Sequence, residues 1–197
     1  MRFVIDGAPG SGKTTILFGR TADEKGKIQI PCLSDYGFKI IPESITSVAD
    51  DMRNESKVPT DCLDEFIART IKKSINESLG EYDFCILERG LPGDFFIEEV
   101  FGKKMPEEYH KFCELVQYES PIFILEPIRD FDMSPANKNL RKGRVATLEQ
   151  RINFFKKTKE IYKSLGYEIE VIPNYDKDIY INTEKRIKHI MNFIKNV

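Results

Sequence analysis

The sequence predicts an α/β fold in which helices cover both faces of a five-stranded parallel sheet. Three observations support this prediction. Short apolar segments alternate with amphipathic ones along the chain, some apolar segments are continuous as in strands buried on both faces, and a glycine-rich stretch joins the first strand to the first helix. Because no repeat or linker interrupts this pattern, we expect residues 1–197 to form a single domain.

The first strand is expected at residues 3–6, and the first helix from Lys13 to about Asp23. The segment 25–37 is ambiguous because a proline and a glycine interrupt it, and a hairpin is one interpretation. A second strand follows at residues 38–43.

The later elements follow from the same patterns. Helices are predicted at residues 44–54 and 61–80, the second with Asp61 as N-cap and Gly80 as stop signal. The remaining strands are expected at residues 83–88, 121–126 and 167–173, and the remaining helices at residues 93–102, 106–119, 147–166 and 183–196.

Composition excludes several protein classes. The chain is 41% hydrophobic and 31% charged, as soluble globular proteins are, and its net charge of −2 gives no global reason to expect nucleic acid or membrane partners. No apolar run approaches the roughly 20 residues of a membrane helix, and the glycine motif begins too early for a signal peptide. We therefore expect a cytoplasmic protein with reduced cysteines, and the sequence leaves a homodimer open.

Residues 7–14 read GAPGSGKT and fit the phosphate-binding pattern G-x-x-x-x-G-K-[ST] between a predicted strand and a predicted helix. A loop around a phosphate must point successive backbone N–H groups inward, and glycine adopts the required dihedral angles freely. The pattern therefore predicts a nucleotide site. The residues expected to touch the nucleotide are Gly7, Ala8, Pro9, Gly10, Ser11, Gly12, Lys13, Thr14 and Thr15.

Three side chains of this motif have individual roles in the prediction. Lys13 would reach the β- and γ-phosphates, and we expect its side chain to be accessible to solvent. The Thr14 hydroxyl would bind Mg²⁺, while Thr15 would support a contact to the α-phosphate. The predicted cofactors are accordingly ATP and Mg²⁺.

Further candidates follow the next two strands, because ligands of open parallel sheets gather at the carboxyl edge. Glu43 ends the second strand, where a carboxylate can accept the proton of an attacking hydroxyl, or can simply favour the dipole of the following helix. Glu88 ends the third strand and is a candidate for holding Mg²⁺ through a bound water, or else a capping or ion-paired carboxylate. Arg89 follows it as a candidate anion clamp, or an ordinary surface arginine.

A polar and basic segment near residues 128–146 is the predicted lid. Its RKGR stretch contains Arg141 and Arg144, and phosphoryl transfer requires cationic charge when the site closes. The alternatives are a solvated basic loop and a patch that binds nucleic acid, although the net charge makes nucleic acid the weaker interpretation.

These motifs together resemble the P-loop nucleoside and nucleotide kinases over nearly the whole chain. The stretches FVIDGAPGSGKTTIL, IIPESI, ILERG and RKGRVATLEQ carry the likeness, which is greatest to predicted AAA-type ATP-binding domains related to NadR-like ribosylnicotinamide kinase. The resemblance implies a P-loop NTPase fold with three layers, α/β/α, and strand order 2-3-1-4-5. It also implies a base role for Glu43, a signature pair at Glu88 and Arg89, and lid arginines.

The sequence departs from this family at three places. Glu88 stands where many members have aspartate, Gly90 stands where deoxynucleoside kinases have serine, and the segment 25–37 is longer than expected. These departures leave the identity of the acceptor open.

The expected function is a small-molecule kinase that transfers the γ-phosphate of MgATP to a nucleoside, nucleotide or related acceptor. The alternative is a regulatory or switch ATPase, in which hydrolysis acts on a partner and no metabolite is phosphorylated. Glu43, Glu88 and Arg89 favour the kinase, because they form an acceptor-like set. No aromatic pocket for a base is evident: Phe95, Phe96 and Tyr109 are candidates for stacking on it, but their spacing is more typical of core residues.

Overall fold

The computed structural model describes residues 1–21, 29–80, 82, 84–95, 97–98, 102–128 and 147–195. Its centre is a five-stranded parallel sheet with the order β2-β3-β1-β4-β5. The strands are β1 (Arg2–Gly7), β2 (Lys39–Ile41), β3 (Cys85–Glu88), β4 (Ile122–Leu125) and β5 (Ile169–Ile172). The predicted order 2-3-1-4-5 is therefore confirmed.

Strand β1 lies in the middle of the sheet and sets its register. Ile5 is opposite Glu88 on one side and Phe123 on the other. Gly7, the last residue of β1, is opposite Leu125 at the end of β4. The carboxyl ends of the three central strands therefore meet at one edge, which is the edge that carries the predicted site.

Helices cover both faces of the sheet, as predicted. They are α1 (Lys13–Phe18), α2 (Ser44–Asn54), α3 (Leu63–Leu79), α4 (Glu107–Leu115), α5 (Leu148–Ser164) and α6 (Ile179–Ile194). Alternate residues of β1 enter two different cores: Val4 packs with Tyr109 and Tyr162, whereas Ile5 packs with Ile190. This alternation explains why the central strands are apolar throughout.

The first helix is shorter than predicted. It ends at Phe18 and not near Asp23, because Gly19 has a φ of 75°, which a continuing right-handed helix does not permit. Residues Arg20–Thr21 then pair antiparallel with Gln29–Ile30. The hairpin interpretation of the segment 25–37 is thus correct only in part, because the first strand of the pair comes from residues assigned to the helix.

Two other helix starts differ from the prediction. The N-cap of α3 is Cys62 and not Asp61. Helix α6 begins at Ile179, four residues before the predicted start at 183, because the Asp178 carboxylate accepts hydrogen bonds from the N–H groups of the first turn. In the part of the chain that the structure describes, no helix has the length and apolar character needed to cross a membrane.

Candidate active site

The glycine motif forms the loop between β1 and α1. Gly10 has a φ of 76° and Gly12 a φ of 91°, both in the left-handed region that favours glycine. The Ser11 N–H donates to the carbonyl of Ala8 at 3.0 Å and closes a tight turn. The requirement for glycine at position 12 therefore comes from the backbone conformation of the loop.

The Lys13 side chain lies over this loop and is only 7% exposed, so the expectation of an accessible lysine is wrong. Its Nζ donates to the carbonyl oxygen of Gly7 at 2.8 Å. Burial and the neighbouring Arg89 lower the pKa of Lys13, whereas the carboxylates of Glu43, Glu88 and Asp6 counteract that shift. Lys13 is buried because the loop folds back around its own cation.

Thr14 and Glu88 meet at the start of α1. The Thr14 hydroxyl donates to Oε1 of Glu88 at 2.9 Å, and Glu88 is buried at the end of β3. A hydroxyl and a carboxylate oxygen are the donors that Mg²⁺ takes from proteins when phosphate oxygens complete its coordination. The two residues predicted for the metal therefore fit that ion. No group of three or more histidine, cysteine or acidic side chains with metal-ligand spacing occurs within the described residues.

Glu43 and Arg89 form an ion pair across the tips of β2 and β3. Oε1 of Glu43 is 2.7 Å from Nε of Arg89, whose side chain is 3% exposed. Glu43 precedes α2 as its N-cap residue, but its carboxylate accepts no backbone N–H of that helix and takes from its first turn only the Thr46 hydroxyl, at 3.3 Å. The pairing with Arg89 therefore counts against a purely helix-dipole role for Glu43.

The backbone of Arg89 is in an uncommon conformation. Its φ of 79° lies in the left-handed region, which costs free energy for a residue with a side chain. The guanidinium is held on three sides, by Glu43, by the Gly93 carbonyl at 3.1 Å and by the Phe154 ring 5.2 Å below it. A Cβ on Gly93 would lie 2.3 Å from Cγ of Arg89, so the turn approaches this side chain as closely as glycine allows.

Asp6 is a site residue that the sequence analysis missed. It is fully buried in β1, and its Oδ1 lies 3.6 Å from Nη1 of Arg89 and accepts the Gly7 N–H at 2.6 Å. The Tyr162 hydroxyl donates to the other carboxylate oxygen at 3.0 Å. An acid inside an otherwise apolar strand, one residue before the glycine motif, was the signal that could have revealed it.

The ion pair fixes the charges of its members. Burial alone would raise the pKa of Glu43, but Arg89 and Lys13 outweigh burial and hold that pKa below its ordinary value. Burial opposes the charged form of Arg89, yet Glu43 and Asp6 raise its pKa above the usual range. Glu43 is therefore a carboxylate, and Arg89 a cation, throughout the neutral pH range.

A small cavity adjoins Arg89 on the side of α2 and α3. Its volume is about 10 Å³, which is close to the space that one water molecule needs. Its polar lining is formed by Ser44, Ser74, Glu77, Ser78, Arg89 and Asp94. The cavity therefore borders the Glu43–Arg89 pair through Arg89.

Asp94 in this lining is predominantly neutral below pH 7. Burial raises its pKa to about 7, although Ser74, Arg89 and Tyr109 counteract the shift. The hydrogen bonds around Asp94 also favour its neutral form. The Tyr109 hydroxyl is 2.8 Å from both the Leu91 carbonyl and Oδ2 of Asp94, and it has one proton for these two acceptors. The Tyr109 proton is therefore shared between Asp94 and the Leu91 carbonyl, which weakens its stabilisation of an ionised Asp94.

The two predicted lid arginines, Arg141 and Arg144, lie outside the described residues, as does almost all of the segment 128–146. At its beginning, the Ile128 carbonyl accepts a hydrogen bond from Arg151 at 2.8 Å. Tyr109 is buried in the core, as its spacing indicated, and presents no free face for a base.

Comparisons with solved structures agree with this architecture. The YorR protein from Bacillus subtilis, in complex with phosphorylated GDP, has a TM-score of 0.55 at 11% identity over 99% of this chain and 96% of its own. Thymidylate kinase from Ehrlichia chaffeensis has a TM-score of 0.53 at 16% identity over 98% of both chains. Shikimate kinase from Acinetobacter baumannii, in complex with shikimate, has a TM-score of 0.51 at 11% identity over 99% of this chain and 93% of its own.

At these identities the three structures establish the fold, which is that of the P-loop kinases, and nothing about the acceptor. A search of curated proteins gives no match. The family model described as AAA domain matches residues 2–178, which include the glycine motif, the Glu43–Arg89 pair and the cavity beside it. Since that match spans most of the sequence, the chain belongs to this AAA domain family.

Proposed function

We propose that this protein is a kinase that transfers the γ-phosphate of MgATP to a hydroxyl or phosphate group of a small acceptor such as a nucleoside, nucleotide or related metabolite. One observation carries the proposal. The Glu43 carboxylate faces Arg89 beside the phosphate loop and does not cap α2. Binding a nucleotide does not require such a pair, whereas a carboxylate at this edge can accept the proton of an acceptor hydroxyl.

In this proposal the phosphate loop and Lys13 hold the phosphates of ATP. Thr14 and Glu88 hold Mg²⁺, which when bound neutralises charge on the phosphate oxygens. Lys13 exchanges its hydrogen bond with the Gly7 carbonyl for one with a phosphate oxygen. Since a buried cation interacts strongly with an anion in a site that excludes water, this exchange favours the nucleotide.

Glu43 acts as the base in the transfer. The acceptor hydroxyl gives its proton to the Glu43 carboxylate while its oxygen forms a bond to the γ-phosphorus and the bond to the β-phosphate oxygen breaks. The lowered pKa of Glu43 keeps the carboxylate ionised before the reaction. Arg89 orients that carboxylate and contributes positive charge near the transferred group.

The acceptor would enter beside the cavity that Ser44, Ser74 and Asp94 line. These side chains can donate and accept hydrogen bonds, so they suit polar groups of an acceptor. Arg141 and Arg144 would complete the site from the lid segment and deliver charge to the transition state. Their contribution is part of the proposal and rests on the sequence alone.

The test is acceptor-dependent formation of ADP by wild type and by Glu43→Gln, with nucleosides, nucleotides and cofactor precursors as acceptors. The glutamine keeps the shape and removes the basicity, so we expect turnover to fall by about 10² to 10⁴-fold with little change in MgATP affinity. The control is Asp50→Asn, which changes an exposed acid of α2 paired with Arg53. That variant should keep wild-type turnover.

Two outcomes would contradict the proposal. If Glu43→Gln phosphorylates the best acceptor as fast as wild type, Glu43 is not the base. If no acceptor raises ADP formation and a protein partner instead stimulates phosphate release, the regulatory ATPase is the correct function.

A further inference from the structure

Arg186 is a buried cation beneath the phosphate loop. It lies on α6, is 1% exposed and is among the largest side chains that the fold buries completely. Burial lowers its pKa to about 10, which leaves it positively charged at neutral pH. A buried charge is costly unless every donor finds a partner, so the contacts of Arg186 indicate what this charge does.

The guanidinium of Arg186 joins three segments of the carboxyl edge. Nη1 donates to the carbonyl of Ser11 in the phosphate loop at 2.6 Å. Nη2 donates to the Glu126 carbonyl at 2.8 Å, just after β4, and to Oδ1 of Asn174 at 2.5 Å, just after β5. Nε donates to the Pro173 carbonyl at 3.0 Å. One planar fork therefore fixes the phosphate loop relative to the ends of two strands.

The contact with Ser11 determines the direction of the next peptide. In a trans peptide the C=O and the following N–H point in opposite directions. Because Arg186 holds the Ser11 carbonyl toward α6, the Gly12 N–H points away from α6. Such N–H groups are what a glycine-rich loop offers to a phosphate. Gly12 lies close to this guanidinium, since a Cβ there would be 3.5 Å from Nη1.

We propose that Arg186 is a positioning residue that holds the phosphate loop in its anion-binding conformation. The inference rests on the part of the proposed function that assigns the loop to the nucleotide phosphates, and it does not depend on the acceptor. It requires the planar fork and not only the charge, because the acceptors lie on three segments. A lysine at this position keeps the charge, but its single nitrogen cannot span them.

The experiment measures binding of MgATP and of inorganic tripolyphosphate by calorimetry in wild type, Arg186→Lys and Arg186→Met. Tripolyphosphate has no base or sugar, so its affinity reports on the loop alone. We expect both variants to lose on the order of 10- to 100-fold in affinity for both ligands, the range that small displacements of binding groups produce. The control is Ile190→Ala, one turn further along α6 on the same buried face. It lowers the melting temperature without touching the loop, and its tripolyphosphate affinity should equal that of wild type.

The inference is overturned if folded Arg186→Lys binds tripolyphosphate as wild type does, or loses no more affinity than Ile190→Ala. Should both arginine variants fail to fold, Asn174→Ala removes one acceptor and keeps Arg186. If Asn174→Ala binds tripolyphosphate more weakly than wild type, the inference is supported. If its affinity for tripolyphosphate equals that of wild type, the inference is overturned. If wild type binds tripolyphosphate but phosphorylates no acceptor, the inference survives and the proposed function fails. If wild type binds neither ligand, both fail.

Discussion

Asp94 shows how the fold controls the charge of a single side chain. It is 4% exposed and lies in a turn that follows Arg89, with Ser74 and Tyr109 as neighbours. An acid in such surroundings keeps its proton unless a cation faces it directly, and Arg89 is already engaged by Glu43 and Asp6. The cavity beside the ion pair is therefore lined by a neutral acid at slightly acidic pH.

The raised pKa of Asp94 makes protein stability depend on pH. The unfolded chain releases the proton near pH 4, whereas the folded protein retains it up to about pH 7. Since the folded state binds more protons in this window, stability falls as pH rises through it. We expect wild type to lose up to about 3 kcal/mol between pH 5 and pH 8 relative to Asp94→Asn, at 1.36 kcal/mol per pKa unit. Denaturant unfolding at both pH values measures the difference, and parallel pH profiles for the two proteins would refute it.

Residue chemistry in the phosphate loop could be predicted, but its surroundings could not. The glycine pattern identified Lys13 and Thr14, because the loop's own sequence encodes its conformation. The charges around Lys13 and the pairing of Asp6 with Arg89 depend on groups that β2 and β3 bring in. Arg186 is the clearest example, because its partner Ser11 is 175 residues away in the chain. Local sequence patterns contain no information about such contacts.

At the scale of secondary-structure elements, α5 is tied to the sheet by one phenol. The Tyr162 hydroxyl donates to Asp6 in β1 and accepts from the N–H of Gly90 just after β3, at 3.1 Å. This bridge connects the helix that follows the predicted lid segment to β1 and β3. The Tyr162 side chain is fully buried, so solvent water does not compete for its hydrogen bonds.

Removing that hydroxyl should therefore destabilise the protein. Tyr162→Phe leaves a buried N–H and a buried carboxylate oxygen each short of a partner, which costs about 1–3 kcal/mol per unsatisfied group. The free energy of unfolding by urea measures the loss. The matched control is Tyr180→Phe, an exposed tyrosine of α6, which should stay within about 0.5 kcal/mol of wild type. Equal stability of the two variants would show that the bridge contributes nothing.

The limits of secondary-structure elements could be predicted where the hydrophobic pattern is long and turn residues flank it. Helix α2 has the predicted limits because turn residues flank it on both sides. The predicted end of helix α1 is too late, because most residues after Phe18 are compatible with a helix. The helix ends at Phe18 because the backbone of Gly19 leaves the helical conformation. The start of α6 was placed late because Asp178 caps a first turn that reads as part of the preceding loop.

At the scale of the whole molecule, the sheet follows from the sequence more directly than any site does. The continuous apolar runs predict parallel strands buried on both faces, and the resemblance to the P-loop kinases implies their order, with β1 between β3 and β4. The identity of the acceptor cannot be predicted from the sequence in this way. It depends on the shape of the space between α2, α3 and the tips of β2 and β3, which no single segment determines.

Nucleotide binding should stabilise the whole domain, because the loop joins the central strand to the core. MgATP at 100 times its dissociation constant adds about 2.7 kcal/mol to the free energy of unfolding. In Lys13→Ala we expect the free protein to remain folded and this increment to disappear. Thermal unfolding with and without MgATP tests the expectation, and Asp50→Asn again serves as the control. Wild-type stabilisation of Lys13→Ala by MgATP would mean that Lys13 does not bind the phosphates.

The close approach at Gly93 limits how this sequence can diverge. A Cβ there would lie 2.2 Å from the Asp6 carboxylate and 2.3 Å from the Arg89 side chain, although the backbone of Gly93 is not left-handed. The constraint is thus one of space, unlike that at Gly12, where backbone conformation imposes it. Even alanine at position 93 would displace the side chains of Asp6 and Arg89 together. A descendant of this protein can therefore acquire a side chain at position 93 only if Asp6 and Arg89 are also rearranged or replaced. A substitution at this position would thus indicate that the chemistry of the site has changed.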